Sequence, residues 1–332
     1  MKVSKKAGIA LFVTAAVIMA VLIVFHKNPG PAADPGQELA KKIISCVVIA
    51  AACVAFIHWY DKFTGLPVEL FQNRHLIWKL AKNDFKKRYA GSYLGAVWAM
   101  AQPVVTVAMY YIVFDKIMGN TSTPLREGVE VPFVLFLTAG LVPWFYFSEA
   151  LNNGTNALLE YNYLVKKVVF KISILPIIKI IAATFIHVFF VLFMLFLFAL
   201  YGYYPGLHTL WVVYFSACLL IFVTGVCMLT SSLVIFFRDL TQIINIFLQV
   251  GIWMTPIMWS LEDLLAKYPI LMVLKLNPLC YIVYGYRAVL FQTGSVASLG
   301  WMNIYFWAVT IVTWIVGSGV FRRLKVHFAD VL

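Results

Sequence analysis

Residues 77–88 read IWKLAKNDFKKR, with Lys79, Lys82 and Lys86 at three- and four-residue spacing. On a helix this spacing puts three ammonium groups and Asn83 on one stripe. Ile77, Leu80, Ala81 and Phe85 fall opposite, and Trp78 sits at the edge. A helix of this kind lies in the headgroup plane of a membrane, its cations toward anionic lipid and phosphate and its apolar face down. Lys87 and Arg88 add to the same charge, so the chemistry on offer is contact with an anionic headgroup.

Bond-making chemistry finds little support. The cysteines Cys46, Cys53, Cys218, Cys227 and Cys280 form no CxxC pair, and most stand in apolar runs, as small hydrophobes do. The six histidines form no HExxH or similar cluster, so no metal site is expected. His187, between Ile186 and Val188, reads as a packed core residue. No GxxxxGK[ST] loop occurs, so this chain does not bind ATP by that route. The middle of the apolar segments carries no carboxylate, whereas ion-coupled carriers bury such groups. Transfer within the membrane would need a general base or paired carboxylates. Energy for any vectorial work must come from elsewhere, most simply from a separate ATPase.

The elements around these residues belong in lipid. Of 332 residues 63% are hydrophobic and only 12% charged, about half the charge of a soluble domain. The net charge of +12 does not indicate nucleic acid, because the cations lie between hydrophobic runs rather than on one basic face. A crossing needs about 20 mostly apolar residues. Eight stretches qualify: 7–25, 43–60, 95–114, 131–149, 177–201, 209–237, 240–260 and 299–321. With the N-terminus inside, most of the 26 cations fall on the cytoplasmic side, so both termini are expected there. Lys179, at a helix end, is expected to snorkel to the interface. The first apolar run exceeds a signal-peptide core and is read as an anchor. Residues 26–42, rich in Pro, Gly and Ala, form an external loop. The expected organisation is a two-span hairpin over 1–60, an amphipathic interface helix within 61–94 and a six-span body over 95–332.

Three further stretches stand out. Residues 150–171, ALNNGTNALLEYNYLVKKVVFK, are too polar to span, yet their apolar residues recur at near-helical spacing, as in a short helix seated in a partner groove. Arg238 and Asp239 mark a tight cytoplasmic turn. Residues 261–291, interrupted by Pro269 and Pro278, read as two re-entrant or interfacial half-helices on the outer side. Counting them as one span would put Arg322, Arg323 and Lys325 outside, against the charge rule.

From about residue 66 onward the chain resembles the permease subunits of ABC exporters for lipid-linked polysaccharides: O-antigen, capsule and teichoic acid. The resemblance rests on FKKRYAGSYLGAVW, GLVPWFYF, LVKKVVF, FFRDL, TPIMW, LNP with Tyr286-Arg287, and the terminal RRLKVHFADVL, in that order. It implies an all-α permease in the bacterial cytoplasmic membrane, a homodimer docked on nucleotide-binding subunits that carry the ATP and Mg, with no cofactor in this chain. Lys79, Lys82, Lys86, Lys87 and Arg88 would meet the headgroup of a lipid-linked glycan. Residues 152–167, with Asn156, Glu160, Asn162, Lys166 and Lys167, would be the coupling helix in the ATPase groove. Pro256, Asn277, Pro278 and Arg287 would belong to the outer gate, and Trp98, Tyr110, Tyr111, Trp144 and Trp253 are candidates for stacking on sugars. Lys171 departs from the proline such permeases commonly carry there, and the first 60 residues lie outside the usual body. An exporter of drugs, peptides or simple lipids, and an integral-membrane transferase, are the alternatives.

Overall fold

A computed structural model describes residues 5–25, 60–88, 97–119, 122–126, 129–166, 171–265, 268–294 and 296–331, with Gly95 and isolated helical positions between 43 and 58. The expected loop 26–42, half of the span 43–60, Gly91, Ser92 and Lys167 lie outside the described residues.

The chain divides into two units, Met1–Gln72 and Asn73–Leu332. The first holds α1 (Lys5–Phe25) and α2 (Tyr60–Gln72). Gly8 meets the Tyr60 ring so closely that an added methyl would lie 2.1 Å from its hydroxyl.

The second unit opens with α3 (Arg74–Arg88), then α4 (Val97–Tyr110), which loosens into π-helical turns over Tyr111–Ile117. A hairpin of β1 (Ser122–Arg126) and β2 (Val129–Pro132) pairs antiparallel, Ser122 opposite Pro132. It leads into α5 (Phe133–Glu160), a short α6 (Asn162–Val165) and α7 (Ile174–Leu200). There follow α8 (Trp211–Val234), α9 (Leu240–Met254), α10 (Leu261–Leu265), a 3-10 segment Pro269–Leu276, α11 (Pro278–Leu290), α12 (Trp301–Leu324) and α13 (Phe328–Val331).

Among the described residues, four helices are long and apolar enough to cross a membrane: Phe133–Glu160, Ile174–Leu200, Leu207–Val234 and Trp301–His327. The pair Pro269–Leu276 and Pro278–Leu290 is bent by 95°, in keeping with the broken pattern read from its two prolines.

Local chemistry sets the ends of these helices. α7 stops at Gly202, whose φ of +85° closes a turn in which Gly202 N donates to Ala199 O and Tyr203 N to Phe198 O. The Tyr203 ring packs edge-on against Phe198, 6.0 Å between centroids, as the apolar contact of that motif. α9 ends at Met254, shorter than the run 240–260, because Thr255 precedes Pro256 and takes an extended conformation (ψ 131°). α11 starts where Asn277 accepts from Leu279 N and Pro278 fills the first turn.

The core is the seam of α5, α7, α8, α11 and α12. Leu135, Leu137, Leu141, Phe215, Tyr281, Tyr286 and Phe306 are fully or almost fully buried there. α8 and α12 approach backbone to backbone at Gly225 and Gly317, in the manner of small-residue membrane contacts.

Candidate functional site

Helix α3 folds with the polarity its sequence dictates. Ile77 and Ala81 are buried and Phe85 half-buried, while Lys79, Lys82, Asn83, Lys86, Lys87 and Arg88 are exposed. Its apolar face docks on α7 around Phe185, whose ring meets Trp78 edge-on at 5.0 Å and Phe85 at 5.9 Å.

The same face carries a residue the helical stripe reading passed over. Asp84 is 8% exposed and points at α7, where Lys179 Nζ donates to its Oδ1 at 2.8 Å. Lys179 also reaches Glu160 Oε2 at 2.5 Å, at the end of α5. The Tyr161 hydroxyl donates to Asp84, and the ammonium lies 5.0 Å from the Tyr161 ring centre. Burial first, and then the Asp84 carboxylate, hold the Tyr161 phenol well above its usual range, so it remains a donor. Lys179 therefore does not snorkel: it is 6% exposed and ties three elements together. Two carboxylates and a phenol repay part of its desolvation. A legible signal existed, since Asp84 follows Ile77 by seven residues and so falls on the apolar stripe of an otherwise cationic helix. Arg88 makes a second tie, an ion pair with Glu149 of α5.

The segment expected as a separate helix over 152–167 is built differently. Asn156 and Glu160 belong to the last turns of α5, which runs unbroken from Phe133, and Asn162 lies in the four-residue α6. Lys166 caps that turn by donating its backbone N–H to Asn162 O. The apolar recurrence was real, but α5 absorbs its first half. Asn156 Oδ1 accepts from Thr241 Oγ1 at 2.9 Å, which connects α5 to the start of α9. The exposed turn of Arg238 and Asp239 immediately precedes that contact.

At the other end of α5 the four residues expected at the outer gate converge. Arg287, on α11, is 3% exposed and faces no carboxylate within reach among the described residues. Its Nε donates to Phe136 O at 3.2 Å, Nη1 to Pro256 O at 2.7 Å and Nη2 to Ile257 O at 2.7 Å. The guanidinium carbon lies 3.3 Å from the Phe136 ring centre, a close cation–π stack. Asn277 Nδ2 donates to Thr255 Oγ1 at 2.9 Å. The corner at Thr255–Pro256–Ile257 is thus held from two sides, with Pro278 setting the first turn of the helix that carries Arg287. The fork geometry suits arginine and not lysine.

The candidate aromatics divide. Trp144 is buried against α9, where a methyl on Gly251 would come 2.8 Å from its ring. Tyr110 and Tyr111 are half-buried, with Tyr110 6.1 Å from Phe114. Trp98 and Trp253 are exposed at 55% and 61%. His187 is a core residue, stacked 4.4 Å from Tyr146, with Nε2 within hydrogen-bond reach of Ser216 and Tyr286. Among the described residues no group of three or more His, Cys, Asp or Glu could hold a metal ion.

Comparison with known proteins adds to this geometry. Residues 75–291, about two thirds of the chain, match the family model described as ABC-2 type transporter. The chain is similar to an O-antigen export system permease protein RfbA of Klebsiella pneumoniae, 28% identical over 76% of this chain and 93% of that protein. It is likewise similar to the RfbA permease of Myxococcus xanthus, 28% identical over 79% of this chain and 97% of that one.

Proposed function

We propose a transport function for this chain, which belongs to the ABC-2 type transporter family: it is the permease subunit of an ATP-driven polysaccharide exporter. The chain is a multi-pass membrane protein and a transport subunit rather than an enzyme. One observation carries the substrate class, namely that likeness to O-antigen export permeases runs over nearly their whole length.

In this reading a separate nucleotide-binding subunit holds ATP and Mg and docks where α5 ends, against Asn156, Glu160, Asn162, Lys166 and Lys167. Both termini face the cytoplasm. Two copies of the chain form the conduit, and the cargo is a glycan on a lipid carrier. The exposed stripe of Lys79, Lys82, Lys86 and Lys87 meets the anionic headgroup, as a helix in the interface plane does. A push at the end of α5 passes through Glu160 and Lys179 to Asp84, so that α3 moves with the coupling segment. A buried ion pair suits this task because separating its charges costs several kcal/mol.

The test is genetic and direct. Deleting the gene should abolish surface polysaccharide and leave lipid-linked glycan in the cytoplasmic leaflet, and the wild-type chain should restore export. Unchanged surface polysaccharide in the deletion strain would contradict the proposal.

A further inference from the structure

A cavity of about 510 Å³ opens between α3, α4, α5 and α7. Its volume lies within the range of small-molecule sites. Trp98 and Phe145 give it aromatic faces, and Arg88, Glu149, Asn152 and Asn153 give it polar groups. Among the described residues neither Asn152 nor Asn153 has a hydrogen-bond partner for its side-chain amide, although both are half-buried.

The charge of this cavity narrows its ligand. Arg88, the one cation on its wall among the described residues, is paired with Glu149, so the described lining is close to neutral. A diphosphate entering here would meet a cation already engaged and a carboxylate of its own sign. A neutral sugar ring meets neither obstacle. Its hydroxyls both donate and accept, as do two amides, and a carboxylate accepts. Its C–H face suits the electron-rich face of an indole or phenyl ring. We infer that the cavity is a glycan-reading site, taking an uncharged sugar of the exported chain rather than the diphosphate that tethers it. The inference rests on the polysaccharide reading above: Arg88 serves the sugar cavity, and headgroup contact is left to the lysines of α3.

The test uses the full chain purified into lipid nanodiscs and two probes: a polyprenyl diphosphate carrying one uncharged N-acetylhexosamine, and the same carrier without the sugar. The wild-type chain should bind the glycosylated probe about tenfold more tightly than the bare one, the effect of two ordinary hydrogen bonds. Asn153→Ala and Trp98→Ala should bring that ratio near one while leaving bare-carrier affinity unchanged. Glu149→Gln, which removes the carboxylate charge, should raise affinity for the bare carrier. Equal wild-type binding of both probes would overturn the inference, as would variants that weaken both probes alike. So would loss of bare-carrier binding in Glu149→Gln. If gene deletion abolishes export while the two probes bind equally, only this inference fails. If deletion leaves export intact, the function itself is misassigned.

Discussion

Lys179 Nζ sits 2.8 Å from Asp84 Oδ1 and 2.5 Å from Glu160 Oε2, so one ammonium group joins the surface helix α3, the end of α5 and the start of α7. The two carboxylates differ in setting. Asp84 is buried with its Oδ2 unpartnered, whereas the Glu160 side chain is half exposed.

Removing the cation should therefore be costly because of Asp84. Lys179→Met leaves a buried carboxylate without its counter-charge, and the expected loss is about 3–5 kcal/mol. Adding Asp84→Asn should recover much of it, since the stranded charge goes too. Thermal unfolding of the single and double variants in detergent measures both. Equal melting temperatures for Lys179→Met and wild type would show that the pair does not hold the helices together.

At the far end of α5 the prediction concerns shape more than charge. Arg287→Lys keeps a cation but can serve few of the three carbonyls that the guanidinium fork reaches together. Each buried carbonyl left unpaired costs about 1–3 kcal/mol. Export should fall at least about tenfold for a loss of that size. Surface polysaccharide measured at equal membrane abundance checks it, and wild-type export by Arg287→Lys would exclude a role for the fork.

Asn277→Ala tests the same corner from its other side. It removes a helix cap worth about 1 kcal/mol and the bond to Thr255. Asn277→Ser, which can still cap, should lie between wild type and alanine in thermal stability.

The α8–α12 contact gives a prediction with an internal control. A methyl at Gly317 would come 2.4 Å from Gly225 O, while one at Gly319 meets nothing within 4 Å. Gly317→Ala should destabilise by about 1–3 kcal/mol, as overpacking does. Gly319→Ala, two residues away on the same helix, should unfold like wild type.

Much of this was legible in the sequence where the cause is local. The cationic stripe of α3 follows from 3.6-residue periodicity alone. The kinked pair around Pro278 was legible from its two prolines, whereas the break before Pro256 was passed over: the run was carried on to 260, although the residue before a proline is pushed out of the helical region. The ties between elements were not legible, because their partners are remote: Asp84 and Lys179 stand 95 residues apart, and Arg88 and Glu149 stand 61 apart. Arg287 gave still less warning, since its partners are backbone carbonyls, which any residue supplies. The coupling segment was misread as a separate helix because polar residues such as Asn152, Asn153 and Asn156 suggested a break. In the structure those amides sit within α5, against α9 and beside a cavity.

The central claim is that this chain is a conduit worked by nucleotide turnover in a second polypeptide. Reconstitution into vesicles tests it most directly, with translocation of lipid-linked polysaccharide followed with and without the nucleotide-binding subunit and ATP. Translocation should require both, and should stop when the subunit's ATP hydrolysis is blocked. Uphill movement by this chain alone would contradict the claim.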